Sequence, residues 1–271
     1  MSEKLGLLIL GLVLCLCPGC AVNPITGQEE LMFFPEQQDV KIGRKYAPEV
    51  EKQMGGRIAD EGLQNYLDTV GQRIARISHK PHLEYHFVAL DHESVNALAL
   101  PGGYVFIMRG LLEKLQTEAQ LAAILAHETA HVVARDSSAA MSREIGLGIL
   151  LSAVASGRAP RGVLTAADLT RQIFGLKYSR GDEREADLAG LDYMVEAGYN
   201  PYGAIELQQM LQEQHKIRPV ELLSTHPSPE NRIGYLRARI QTRYRNLEAL
   251  KIGRQDYRSA VLEHLIDNEA D

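Results

Sequence analysis

The spacing of apolar residues along this 271-residue chain switches between the period of a helix and that of a strand. In residues 60–78 the apolar positions Leu63, Tyr66, Leu67, Val70, Ile74 and Ile77 recur every three or four residues, which predicts an amphipathic helix packed on a core. Residues 85–90 then alternate in the manner of a strand. Residues 95–100, the Pro101-Gly102-Gly103 turn and residues 104–108 predict two extended segments joined by a tight reversal, the second of them an edge strand open to an extended peptide. Thr117-Glu118-Ala119-Gln120 has the spacing of a capping box and opens a strongly apolar helix running through Ala134. Residues 179–182 can cap a further helix, which carries Ala186, Leu188, Leu191, Met194 and Val195 and stops at Gly198; Asn200-Pro201 starts the next one. Residues 146–155 form an apolar run too short to cross a bilayer and read as a buried or lid helix. The pattern as a whole predicts a mostly helical α+β fold, with a small sheet over a central helix.

The N-terminal end has a different character. Lys4, an apolar stretch over residues 5–16 and Cys17-Pro18-Gly19-Cys20 read as a signal peptide over 1–19, followed by acylation of Cys20. All three cysteines fall in this segment, so a chain starting at Cys20 has no disulfide partner, which suits a lipid-modified cysteine. Residues 20–35, with turn chemistry at Asn23-Pro24 and Thr26-Gly27, read as a lipid-anchored tether, and 36–271 as one domain. The bulk of the chain is then expected to face the periplasm from a membrane of the bacterial envelope. A net charge of -6 leaves no basic footprint, which argues against a nucleic-acid partner.

The chemistry concentrates on the helix after Thr117. His127-Glu128-Thr129-Ala130-His131 places two imidazoles one turn apart on one face, with Cβ atoms ~5 to 6 Å apart, a spacing that suits two ligands of a single tetrahedral zinc. Glu128 is rotated away by roughly 100° and is placed to activate a water rather than to ligate. A buried pair of histidines with no partner would be costly, and a metal satisfies both. A catalytic zinc needs a third protein ligand, and the carboxylates Asp182, Glu183, Glu185 and Asp187 are the candidates. Glu183 and Asp187 share a helical face, so one can ligate while the other hydrogen-bonds the free nitrogen of a histidine. His79, His82, His86, His92, His215 and His264 have no helical partner at ligand spacing and read as ordinary loop or surface residues.

These motifs, with Ser179-Arg180-Gly181-Asp182-Glu183-Arg184-Glu185-Ala186-Asp187, resemble the HtpX-like zinc metallopeptidases, relatives of the type 1 CAAX prenyl proteases and nearest to the envelope members of the BepA and LoiP type. The likeness extends to Asn23-Pro24-Ile25-Thr26-Gly27, Val95-Asn96-Ala97 with Pro101-Gly102-Gly103-Tyr104, and Thr225-His226-Pro227 followed by Arg232. It implies a zincin-like domain holding one zinc ion through His127, His131 and Glu183, with Asp187 behind a histidine ligand and Glu128 as the base. It also implies that Asn96 lies beside the substrate and that His226 can occupy the open position of the metal, as a latch or as a transition-state donor. The expected activity is hydrolysis of peptide bonds in unfolded or misassembled envelope proteins by an outer-membrane lipoprotein. The alternative is a chaperone-like or scaffolding lipoprotein whose metal stays permanently capped.

Overall fold

The computed structural model describes residues 20–144, 176–226 and 231–267. The expected signal peptide and the apolar run at 146–155 lie outside the described residues.

Two small sheets and a set of helices follow in order: β1 (Cys20–Val22), β2 (Glu29–Leu31), α1 (Glu36–Gln53), α2 (Glu61–Ala75), β3 (His86–Leu90), β4 (Ala97–Leu100), β5 (Tyr104–Met108), α3 (Arg109–Leu112), α4 (Glu118–Ala134), α5 (Arg180–Glu196), α6 (Tyr202–Ile217), α7 (Leu222–Thr225) and α8 (Arg232–Arg243). A helical stretch over residues 136–144 follows α4 directly. The chain closes with α9 (Arg254–Tyr257), a π-type turn (Arg258–Leu262) and α10 (Glu263–Asp267). This is the mostly helical α+β fold that the periodicity predicts. Among the described residues no helix is long and apolar enough to cross a membrane.

Local chemistry sets the helix boundaries. Asp60 caps α2 through the Leu63 amide, and Thr117 caps α4 through the Gln120 amide. The return arm of the box at α4 goes one residue further back than expected, with Gln120 Oε1 accepting from the Gln116 amide at 2.7 Å. Ser179 and Asp182 form a complete capping box at the start of α5, and Gly198, with φ of 90°, ends that helix region in a conformation glycine adopts freely.

The main sheet has the order β3-β5-β4, with β3 parallel and β4 antiparallel to β5. The strand at Tyr104–Met108 is therefore central and not at an edge. The Pro101-Gly102-Gly103 turn folds it back on β4, and its other side accepts β3 in parallel register, leaving β4 and β3 as the edges. Both faces of the sheet are buried. Phe87, Ala89, Val105 and Ile107 point into the larger core with Leu121, Ile124 and Leu125 of α4. Val88, Leu90, Phe106 and Met108 point to the other side, where Ile42, Tyr46, Ala47 and Val50 of α1 cover them. In residues 20–31, β1 and β2 pair as a hairpin, and Asn23 Nδ2 donates to Glu185 of α5 at 2.6 Å.

Helices α4 and α5 form the closest packed helix pair, and Gly190 makes this possible. A Cβ at that position would lie 3.0 Å from the backbone of Ala126 and His127. Gly190→Ala is expected to push α5 away and to destabilise the protein by about 1–3 kcal/mol, the usual cost of overpacking. Urea unfolding measures this, and an unchanged midpoint would show that the two helices can separate freely.

Candidate metal centre

The histidines of the sequence motif lie on the second half of α4, facing the first turn of α5. His127 Nε2 and His131 Nε2 are 3.1 Å apart. Glu183 Oε1 is 3.4 Å from His131 Nε2, and Glu183 Oε2 is 3.6 Å from His127 Nε2. His226, just after α7, completes the group: its Nδ1 lies 2.8 Å from Glu183 Oε1 and 3.4 Å from His127 Nε2. Each of the four offers one ligand atom, and these atoms all lie within 4.8 Å of one another in buried surroundings. Glu128 is buried alongside, with Oε1 3.7 Å from His226 Nε2, and neither of its oxygens has a hydrogen-bond partner.

A supporting layer fixes the rings. His127 Nδ1 faces Asp187 Oδ1 at 3.1 Å, and Asp187 is itself held by Arg232 and Tyr235 of α8. His131 Nδ1 faces Asp136 Oδ2 at 2.6 Å. Tyr178 stacks on the His131 ring with centroids 4.2 Å apart, and its hydroxyl meets Ser137 Oγ at 2.9 Å. Asn96 is not part of this group. Its Oδ1 accepts from the Ala97 amide at 2.9 Å, and no bond links it to the histidines. Of the acidic candidates on α5, Glu185 turns to Asn23, and Asp182 is spent on the helix cap.

Residues 61–240 match the model of peptidase family M48. The chain belongs to this family. It is 29% identical over 235 residues to a beta-barrel assembly-enhancing protease of Yersinia pestis, an alignment covering 83% of this chain and 48% of that protein. A beta-barrel assembly-enhancing protease of Escherichia coli strain K12 is 29% identical over 216 residues, covering 74% and 44%. The mitochondrial metalloendopeptidase OMA1 of Schizosaccharomyces pombe is 32% identical over 208 residues, covering 70% and 58%. The chain spans about half the length of the curated relatives it matches.

In this M48 chain the electrostatics of the group run against its burial. Burial would raise the Glu183 carboxyl, but the imidazoles of His226, His131 and His127 outweigh it and hold the group far below the carboxylate range. Burial also opposes charge on His131, yet Asp136 and Glu183 outweigh it and hold that imidazole well above its ordinary value. His127 goes the other way, its charge disfavoured by burial against the pull of Asp187. Burial would raise Asp187 as well, and Arg232 with His127 reverse that and keep it low.

The supporting carboxylate of His131 was not apparent from the sequence. Asp136 follows Arg135, whose φ of 64° breaks the helix, so no helical spacing relates it to His131. Tyr178 and Tyr235 carried no signal of any kind. Arg232, singled out only as part of the family likeness, lies within 3.4 Å of both Glu183 Oε2 and His127 Nδ1.

Because folding raises the His131 pKa, its pairing with Asp136 stabilises the metal-free protein fully below the ordinary histidine value, and that contribution fades as pH rises through the raised one. Urea midpoints of chelator-treated protein are expected to fall on the alkaline side, and Asp136→Asn should remove that part of the slope. A slope identical in both proteins would mean that the pairing carries no stability.

Proposed function

We propose that this chain is a zinc-dependent endopeptidase, with His127, His131 and Glu183 as the metal ligands and Glu128 as the general base. The observation that carries this reading is Glu128 itself. It is fully buried and both of its oxygens lack a partner, a costly arrangement that no structural bond of its own repays. Glu183 Oε2 is also buried without a hydrogen bond. Two imidazole nitrogens, a carboxylate and one further position suit a catalytic zinc, whose sites keep three protein ligands and a fourth place for exchange. The donor set therefore fits the group that the family implies.

When bound, zinc supplies a Lewis acid that polarises the scissile carbonyl and makes water a better nucleophile. Glu128 takes the proton of the attacking water and passes it to the departing amine. Asp187 and Asp136 hold the Nδ1 sides of His127 and His131, which keeps each Nε2 facing Glu183, where it would serve as a ligand. An extended peptide lies along the outer edge of β4, in backbone pairing that begins beside Asn96. A narrow pocket against His127, lined by Ile124, Met194, Leu207, Leu211 and Leu223, receives an apolar side chain of that peptide.

His226 acts as a latch: its imidazole would compete for the fourth ligand place and would have to withdraw from Glu183 and His127 before substrate binds. Its Nδ1, 2.8 Å from Glu183 and 3.4 Å from His127, supports this role. The substrates are unfolded or misassembled polypeptides of the bacterial envelope, to which the chain is held by acylation at Cys20. The names of the beta-barrel assembly-enhancing proteases support this setting.

Digestion of a denatured polypeptide tests the assignment. Glu128→Gln is expected to lower turnover by about 10²–10⁴-fold while leaving stoichiometric zinc in place. Retained activity would remove Glu128 from the chemistry, and absence of zinc from the native protein would remove the whole reading. His226→Ala is expected to raise turnover. A fall instead would make His226 an oxyanion donor and not a latch.

A further inference from the structure

A buried ion pair joins the start of α1 to the turn at the end of α4. Asp39 Oδ2 accepts from Arg135 Nε at 2.5 Å, and Asp39 Oδ1 accepts from Ser138 Oγ at 2.8 Å. Arg135 also donates through Nη2 to the Phe34 carbonyl at 2.6 Å. Arg135 and Asp39 are both buried, and Arg135 adopts a left-handed conformation that side-chain-bearing residues rarely hold without support. Residues 34–39 therefore grip Arg135 and Ser138, which bracket the turn of chain where the left-handed break leads into the helical stretch of 136–144.

The two residues inside that turn both serve the candidate centre. Asp136 meets His131 Nδ1 at 2.6 Å. Ser137 Oγ lies 3.2 Å from the Ala99 carbonyl on the β4 edge and 2.9 Å from the Tyr178 hydroxyl, whose ring stacks on His131. Asp39 itself is outside residues 61–240, the part of the chain that matches the family model. We infer that Asp39 is a positioning residue for the metal: through Arg135 and Ser138 it fixes the turn that aims Asp136, and Asp136 fixes His131. This inference rests on the ligand set proposed above.

The physical content is a chain of dependence. The His131 ring, stacked on Tyr178, takes its orientation from the group that holds Nδ1, and that carboxylate stands just after the left-handed break at Arg135, where the helical register of α4 is lost. Asp39 supplies the missing restraint from a separate helix.

Zinc affinity measured by chelator competition on the full chain tests this, together with urea unfolding of each metal-free protein. Asp136→Asn is expected to weaken zinc by about 10–100-fold and Asp39→Asn by about tenfold, as loss of outer supporting groups does. On the Asp136→Asn background, Asp39→Asn should change affinity by less than about twofold, since its route to the metal is already cut. The combined variant Asp39→Asn with Arg135→Gly removes both charges together and gives the left-handed position the residue that suits it. It should keep the metal-free fold while still weakening zinc by about tenfold. The inference is overturned if Asp39→Asn lowers only the urea midpoint and leaves affinity intact, or if its effect on affinity persists undiminished without Asp136. A native protein that takes up no zinc overturns the ligand assignment instead, a result distinct from either.

Discussion

A single carboxylate, Glu183, sits in the interior of this protein among three imidazoles, and most of the surrounding structure can be understood as what that placement requires. An ionised group removed from water is stable only when charge and hydrogen bonding around it compensate. Here His131, His127 and His226 surround the carboxylate, and Arg232 approaches its second oxygen. The ring of bases needs its own restraints, which Asp187 and Asp136 provide from opposite sides. Removing any one of these groups leaves another buried charge exposed to the low dielectric of the core.

Bringing Glu183 there is a problem of helix packing. The carboxylate sits in the first turn of α5 and the histidines in the second half of α4, so the two helices must lie almost in backbone contact. Gly190 permits that approach on one side of α4, and Gly203 permits a similar approach by α6 near Ala119. The sheet forms the other wall. Because α1 covers its far face, β3, β5 and β4 are packed from both sides, between α1 and α4.

The site was more legible in the sequence than the scaffold around it. His127, Glu128 and His131 share a helical spacing, and Glu183 with Asp187 repeats it, so periodicity alone narrows the chemistry. Asp136 follows the left-handed break at Arg135 and Tyr178 lies outside regular structure, and spacing carries no information across either interruption. Helix α1 was missed because its larger buried apolar residues are few, Ile42, Tyr46, Ala47 and Val50, in a mostly polar segment that also contains Pro48. The reversal at Pro101-Gly102-Gly103 was readable from turn chemistry, but strand order was not. Whether β5 is inner or outer depends on where β3 docks, a long-range choice with no local signature. The asparagine before β4 was singled out by its place in a recognisable motif, and in the structure its side chain accepts from the Ala97 amide.

The hairpin of residues 20–31 has a mechanical consequence. Asn23 is bonded to Glu185, two residues beyond Glu183 on the same helix, and the Phe33 amide donates to Ser142 Oγ in the stretch that follows α4. Tension on this hairpin is thus passed directly to α5 and to the helical stretch after α4. Whatever holds the hairpin would therefore also bias the orientation of the helix that carries Glu183.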